Sequence, residues 1–126
     1  MPRPYPMTPG QKMYGYAMPK QYTMPKQAPH VIIPVFKSKA LNGESVSSLN
    51  PFATIWCVIE NLFWAVTAEG LSCSLRIPLS KEHDIVKQKL KVPPTYMIPA
   101  FIGIGYANPE EPPLEQHHPE IDKQIR

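Results

Sequence analysis

The sequence predicts an α+β fold in which a small mixed or antiparallel sheet packs on one long buried helix. Three observations lead there. Residues 50–69 read as a helix with both ends marked in the sequence and almost no polar residue between them. Short apolar runs at residues 31–36, 72–77 and 97–106 are strand-sized and surround that helix in sequence. The 17 prolines crowd the first and last 34 residues of a 126-residue chain, which confines a regular core to about residues 28–106. So small a core yields only a few kcal/mol, so the chain is expected to need a partner.

The helix is the organising element. Asn50 is suited to the N-cap, Pro51 to a first-turn position where a missing N–H costs nothing, and Gly70 to the left-handed residue past the end. Phe52, Ile55, Trp56, Ile59, Leu62, Phe63 and Val66 keep helical spacing and mark a core-facing stripe, while Cys57, Val58, Trp64 and Ala68 leave the other face scarcely more polar. Such a helix is buried on more than one side or crosses a membrane, and about 20 residues would reach across roughly 30 Å of hydrocarbon. Glu60 and Asn61 sit at its midpoint, however, where a charge costs about 2.5–3.5 kcal/mol, and no basic cluster flanks either end. The expectation is therefore a soluble helix. Its own sheet covers one side and a second subunit the other, with Glu60 and Asn61 hydrogen-bonded in that contact.

The remaining elements follow in order. Residues 1–27 form a basic arm rich in Pro, Met and Tyr, read as extended or disordered: Pro2-Arg3-Pro4-Tyr5-Pro6 favours polyproline II, and Met-Pro-Lys-Gln occurs twice. Its tyrosines and methionines supply area for draping over a partner. Residues 28–106 form the folded half-domain. Within it, Pro34 restricts the strand at 31–36 to an edge or an irregular ladder position, and residues 37–49 read as a loop around Asn42-Gly43. The strand at 72–77 ends at Pro78. Ser80 caps a short helix to about Leu90, with Glu82 and Asp84 in its first turn and Lys87, Lys89 and Lys91 near its end, as the helix dipole prefers. Residues 97–106 are apolar on both faces and predict a central strand, whose Gly103 and Gly105 permit close approach by a helix or a flat ligand. Residues 107–126 are an acidic, Pro-rich tail.

A net charge of +3 gives no nucleic-acid footprint. Cys57 and Cys73 have no metal-ligand spacing and suit a reducing compartment, and Arg3 is followed by no apolar run, so a cytoplasmic location is expected. The adjacent His117-His118 point apart in an extended tail and make no metal pair. Gly103-Ile104-Gly105 is followed by Asn108-Pro109 instead of a helix, which excludes a phosphate loop. No serine or cysteine triad and no paired carboxylates occur in the folded part, so no catalytic side chain is named. Chemistry, if present, would be a cofactor's.

Taken together, Ile59-Glu60-Asn61-Leu62-Phe63-Trp64-Ala65-Val66, then Glu69-Gly70-Leu71-Ser72-Cys73-Ser74, Arg76-Ile77-Pro78, a short helix, Pro93 with Tyr96, and Ala100-Phe101-Ile102-Gly103-Ile104-Gly105-Tyr106 resemble the C-terminal half of the nitroreductase family. The resemblance covers about residues 28–126, including a strand near Ala28-Pro29-His30-Val31-Ile32-Ile33. It implies a nitroreductase-like α+β fold in an intertwined homodimer, with FMN at the interface and hydride passing from NAD(P)H to a nitroaromatic, quinone or related acceptor. It further implies that Ser74, Leu75, Arg76 and Ile77 run beside the flavin ring and that Lys123 and Arg126 reach the FMN phosphate. A sheet-edge ion pair accounts for Arg76 equally well, and free tail charge for Lys123 and Arg126. The family's N-terminal half, with its Arg-x-Ser-x-Arg type segment, has no counterpart in residues 1–27. The alternatives are thus a flavin enzyme completed by a partner chain, or a non-catalytic remnant or dimerisation module that binds no flavin.

Overall fold

A computed structural model describes residues 7–38, 45–112, 120–123 and 125. Helix α1 spans Pro9–Gln27, followed by strands β1 (His30–Ile32) and β2 (Phe36–Lys37), helix α2 (Asn50–Ala68), strand β3 (Ser72–Arg76), helix α3 (Ser80–Lys89), and strands β4 (Tyr96–Met97) and β5 (Phe101–Gly105). One antiparallel sheet has the order β1-β5-β3, and β2 pairs with β4 in a separate two-stranded ribbon. The fold is therefore α+β, with β5 central, as its two-sided apolar character predicts.

Strand parity divides the main sheet into two faces. Ile102, Ile104, Cys73 and Leu75 lie on one, packed with Ile55, Trp56, Ile59, Leu62 and Phe63 of α2 into the core cluster. On the opposite face, Ser74 and Gly103 are Cα partners, and a Cβ added to Gly103 would stand 2.8 Å from Ser74 Oγ, 3.0 Å from Ala28 Cβ and 3.6 Å from the Pro25 backbone. The end of α1 thus presses onto β5 where only glycine fits. Helices α1 and α2 cover opposite sides of the sheet.

The predicted stripe of α2 holds from Ile55 to Val66, where Ile59 and Val66 are buried and Ile55, Trp56, Leu62 and Phe63 partly so, but Phe52, in the first turn, is exposed. Its exit also follows the sequence. Gly70 has φ +71°, the Leu71 N–H donates to the Val66 carbonyl and the Gly70 N–H to that of Thr67, which together satisfy two of the helix's terminal carbonyls. Its entry differs. A 3₁₀ turn at Val46–Leu49 runs directly into the helix, so Asn50 is the first helical residue and makes no side-chain cap.

Four further expectations are corrected. The arm is not extended from Pro9 onward, because residues 9–27 form α1. Thr8 and Gln11 cap it reciprocally, with the Gln11 N–H donating to Thr8 Oγ1 at 3.3 Å and the Thr8 N–H to Gln11 Oε1 at 3.0 Å. Packing on the sheet then outweighs the interior Pro19 and Pro25. The strand expected at 31–36 is two pieces, because Pro34 offers no N–H to continue the ladder, and the one at 97–106 is divided around Pro99 for the same reason. Leu79, not Ser80, is the N-cap of α3. Glu82 reaches back to accept from the Leu79 N–H at 3.4 Å. The polyproline stretch before residue 7, the Asn42-Gly43 loop, His117-His118 and Arg126 lie outside the described residues.

Candidate functional site

Of the residues expected beside a flavin, Arg76 is the most tightly engaged. It ends β3, is only 7% exposed, and is the one buried charged residue among the described residues. Its Nε donates to Glu82 Oε1 at 3.1 Å and its Nη2 to Glu82 Oε2 at 2.7 Å, a bidentate fork across the β3–α3 turn. The other side of the guanidinium lies 3.8 Å from the centroid of the Tyr22 ring of α1. Hydrogen bonding from Arg76 holds the Glu82 carboxyl below its usual range, and the same bond raises Arg76 above its own.

The arrangement joins three elements through one cation. Parity explains its position: Arg76 shares the α1-facing side of β3 with Ser74, whereas Leu75 points into the core beneath α2. Only Ile77, 59% exposed beyond the strand end, is open to a ligand along this stretch. Lys123 lies in an exposed 3₁₀ turn and pairs with Glu120.

A flavin needs a slot for its ring and donors for its anionic edge and phosphate. Within one protomer these residues make no such slot. Leu75 is in the core, Ser74 is covered by α1, and the Arg76 fork is satisfied by a carboxylate. An open groove of about 390 Å³ lies elsewhere, between β2 and the start of α2, lined by Phe36, Lys37, Asn50, Pro51, Thr54, Ile55 and Val58. Among the described residues no group of three His, Cys, Asp or Glu side chains is placed to hold a metal ion.

The sequence does not point to Tyr22, because an extended arm would not lay it on β3, and it assigns Glu82 only a role toward the helix dipole. The spacing of Arg76 and Glu82 across a Pro78 turn was the available signal. His83, also unremarked, bridges α3 to the segment between β4 and β5: its Nε2 accepts from the Ile98 N–H at 3.2 Å and its Nδ1 meets Asp84 Oδ1 at 3.0 Å. Tyr16 and Lys20 of α1 both contact Glu111 beyond β5.

The outer face of α2 is the other notable feature. Val46–Ala68 is long and apolar enough to span a membrane by length and composition, yet only 11% of its most apolar stretch is buried, and Trp64 is 69% exposed. No family model matches the chain, and no curated protein matches it in sequence.

Proposed function

We propose that this chain is one half of a flavin oxidoreductase of the nitroreductase type, acting as a homodimer or with a chain that supplies the N-terminal half. FMN would lie across the interface that covers α2, and the activity would be hydride transfer from NAD(P)H through the flavin to a nitroaromatic, quinone or related acceptor. The carrying observation is the disparity in α2 between composition and cover: the chain's most apolar helix has one whole side in water. An exposed apolar face of that length marks an interaction surface. The order of helix, glycine exit, strand, short helix and glycine-bearing central strand supports the family reading. Because one protomer does not fit the flavin, its ring edge and phosphate would depend on groups from the covering chain.

A second reading is favoured by Arg76. Its commitment to Glu82 and Tyr22 suits an association module with no flavin, in which β3 and α3 only support α2. A visible spectrum of the purified chain, FMN titration and native mass separate the two. A dimer with about one bound FMN per chain supports the enzyme, and a colourless dimer that takes up no added FMN leaves the module. A colourless monomer defeats both.

A further inference from the structure

Helix α3 is held to the rest of the fold by polar side chains. None of its residues is buried, and the half-buried ones turned inward, Glu82, His83, Val86 and Lys87, include a single apolar side chain. Each polar one has a partner: Glu82 takes the Arg76 fork, Lys87 Nζ donates to the Pro94 carbonyl at 3.2 Å, and His83 receives the Ile98 N–H. The last contact is the one that a change near neutral pH can alter. The β2–β4 ladder ends at Met97, so the amide of Ile98, a residue only 3% exposed, has His83 in place of a strand partner. At 3.2 Å, Nε2 must offer a lone pair to that N–H, and the proton of the neutral ring is then on Nδ1, 3.0 Å from Asp84 Oδ1.

We infer that His83 is a pH-operated latch: its neutral ring docks α3 on the segment entering β5, and its protonated ring releases it. An imidazolium carries a hydrogen on both nitrogens, so Nε2–H would face the Ile98 N–H, and a half-buried donor would lose its acceptor. Asp84 accepts from Nδ1 in either form of the ring, so the change falls on Nε2 alone. The other charged groups nearby are committed. Glu82 is taken up by Arg76 of β3, which lies against Tyr22 of α1, and Lys87, one turn along α3, is held at Pro94. The facing chain from Thr95 to Gly105 holds Tyr96 and no charged side chain, so no carboxylate there can take over the Ile98 N–H. Release is local, because the Arg76–Glu82 pair still ties the first turn of α3 to β3, and the Glu82 carboxyl, held below its usual range by Arg76, keeps its charge at about pH 5. The latch is independent of whatever covers α2.

Amide hydrogen exchange of the full chain, followed by NMR and corrected for the intrinsic rate at each pH, tests the latch. Between about pH 8 and about pH 5, the range over which histidines change charge, protection of the Ile98 amide is expected to fall about tenfold or more, and that of α3 with it, while that of Ile102 in β5 is unchanged. At the higher pH the nitrogen chemical shifts of the ring are expected to place its proton on Nδ1. His83→Gln supplies an oxygen that can accept from the Ile98 N–H and does not titrate, so its Ile98 protection should be the same at both pH values. In His83→Ala that protection should be low at both. His30, His117 and His118 are present in all three chains, so the comparison isolates His83. Unchanged Ile98 protection in the native chain, a native ring protonated on Nε2 at the higher pH, or an equal fall in His83→Gln overturns the latch. If His83→Gln loses the native far-UV circular dichroism spectrum, the two measurements on the native chain decide alone.

Discussion

Replacing Glu82 by Gln tests whether the Arg76 cluster is structural. Gln keeps the shape and an oxygen that can still accept from the Leu79 N–H, but removes the charge. Arg76 then keeps its position at 7% exposure with a full positive charge and no counter-ion. Breaking a fully buried pair in this way costs about 3–5 kcal/mol. The Glu82 side chain is 33% exposed, so water can partly take its place, and the expected loss falls to about 1.5–3 kcal/mol, that of hydrogen bonds to a charged group. The opposite change, Arg76→Met, keeps the packed stem and leaves Glu82 near solvent in the first turn of α3, where an acid is favourable. Its loss is mainly the stacking on Tyr22, about 2 kcal/mol for a cation this desolvated. Urea unfolding followed by circular dichroism reads the difference. With a slope of about 1.5 kcal/mol/M, a 2 kcal/mol loss lowers the midpoint by about 1.3 M. Both single variants should lose stability, and the double variant should lose less than the two singles together. A Glu82→Gln midpoint unchanged to about 0.5 kcal/mol would refute the structural role. Unchanged unfolding in Arg76→Met together with lost FMN uptake would instead assign the guanidinium to a flavin.

Three other outcomes follow from the same structure. Because the folded-state Glu82 carboxyl is depressed, its contribution is complete above the unfolded value near 4.3 and disappears as pH falls through the lower folded value. Acid titration of stability should therefore be shallower below about pH 4 in Glu82→Gln. Gly103→Ala forces a methyl to 2.8 Å from Ser74 Oγ and 3.0 Å from Ala28 Cβ, and an overpacking loss of about 1–3 kcal/mol is expected by thermal melting. Truncating Ser74 to Ala alongside it should recover part of that loss. Burial raises the Cys73 thiol, whereas Cys57 is exposed, so iodoacetamide near pH 8 should label Cys57 well before Cys73 in the monomeric chain, with peptide mass spectrometry as the readout.

How much of this was legible depends on the range of the interaction that fixes each element. The stripe, the Gly70 exit and the length of α2 are local, and the sequence states them directly. The central place of β5 was readable because apolar residues on both faces mean cover on both faces. Helix α1 was not. Its prolines and glycines oppose a helix, and what overrides them is Pro25 against Gly103, Tyr22 against Arg76, and Tyr16 and Lys20 against Glu111, contacts between residues dozens of positions apart. The same distance hid the state of Arg76. A cation between Leu75 and Ile77 reads as an edge charge until a tyrosine from the other end of the chain is laid on it.

The central position of β5 also sets the order in which the chain can fold. His30 pairs with Ile104, roughly seventy positions away, and every residue of β3 from Ser72 to Arg76 has its partner in β5. On a ribosome, β1, α2 and β3 emerge before the one strand that joins them exists. Helix α2 can form early from local bonds, but its core stripe stays open until β5 arrives, while its outer stripe is already exposed. Closing loops of that length is slow. The nascent chain thus presents both apolar sides of α2 at once until residue 105 is made, the kind of exposed apolar surface that favours aggregation.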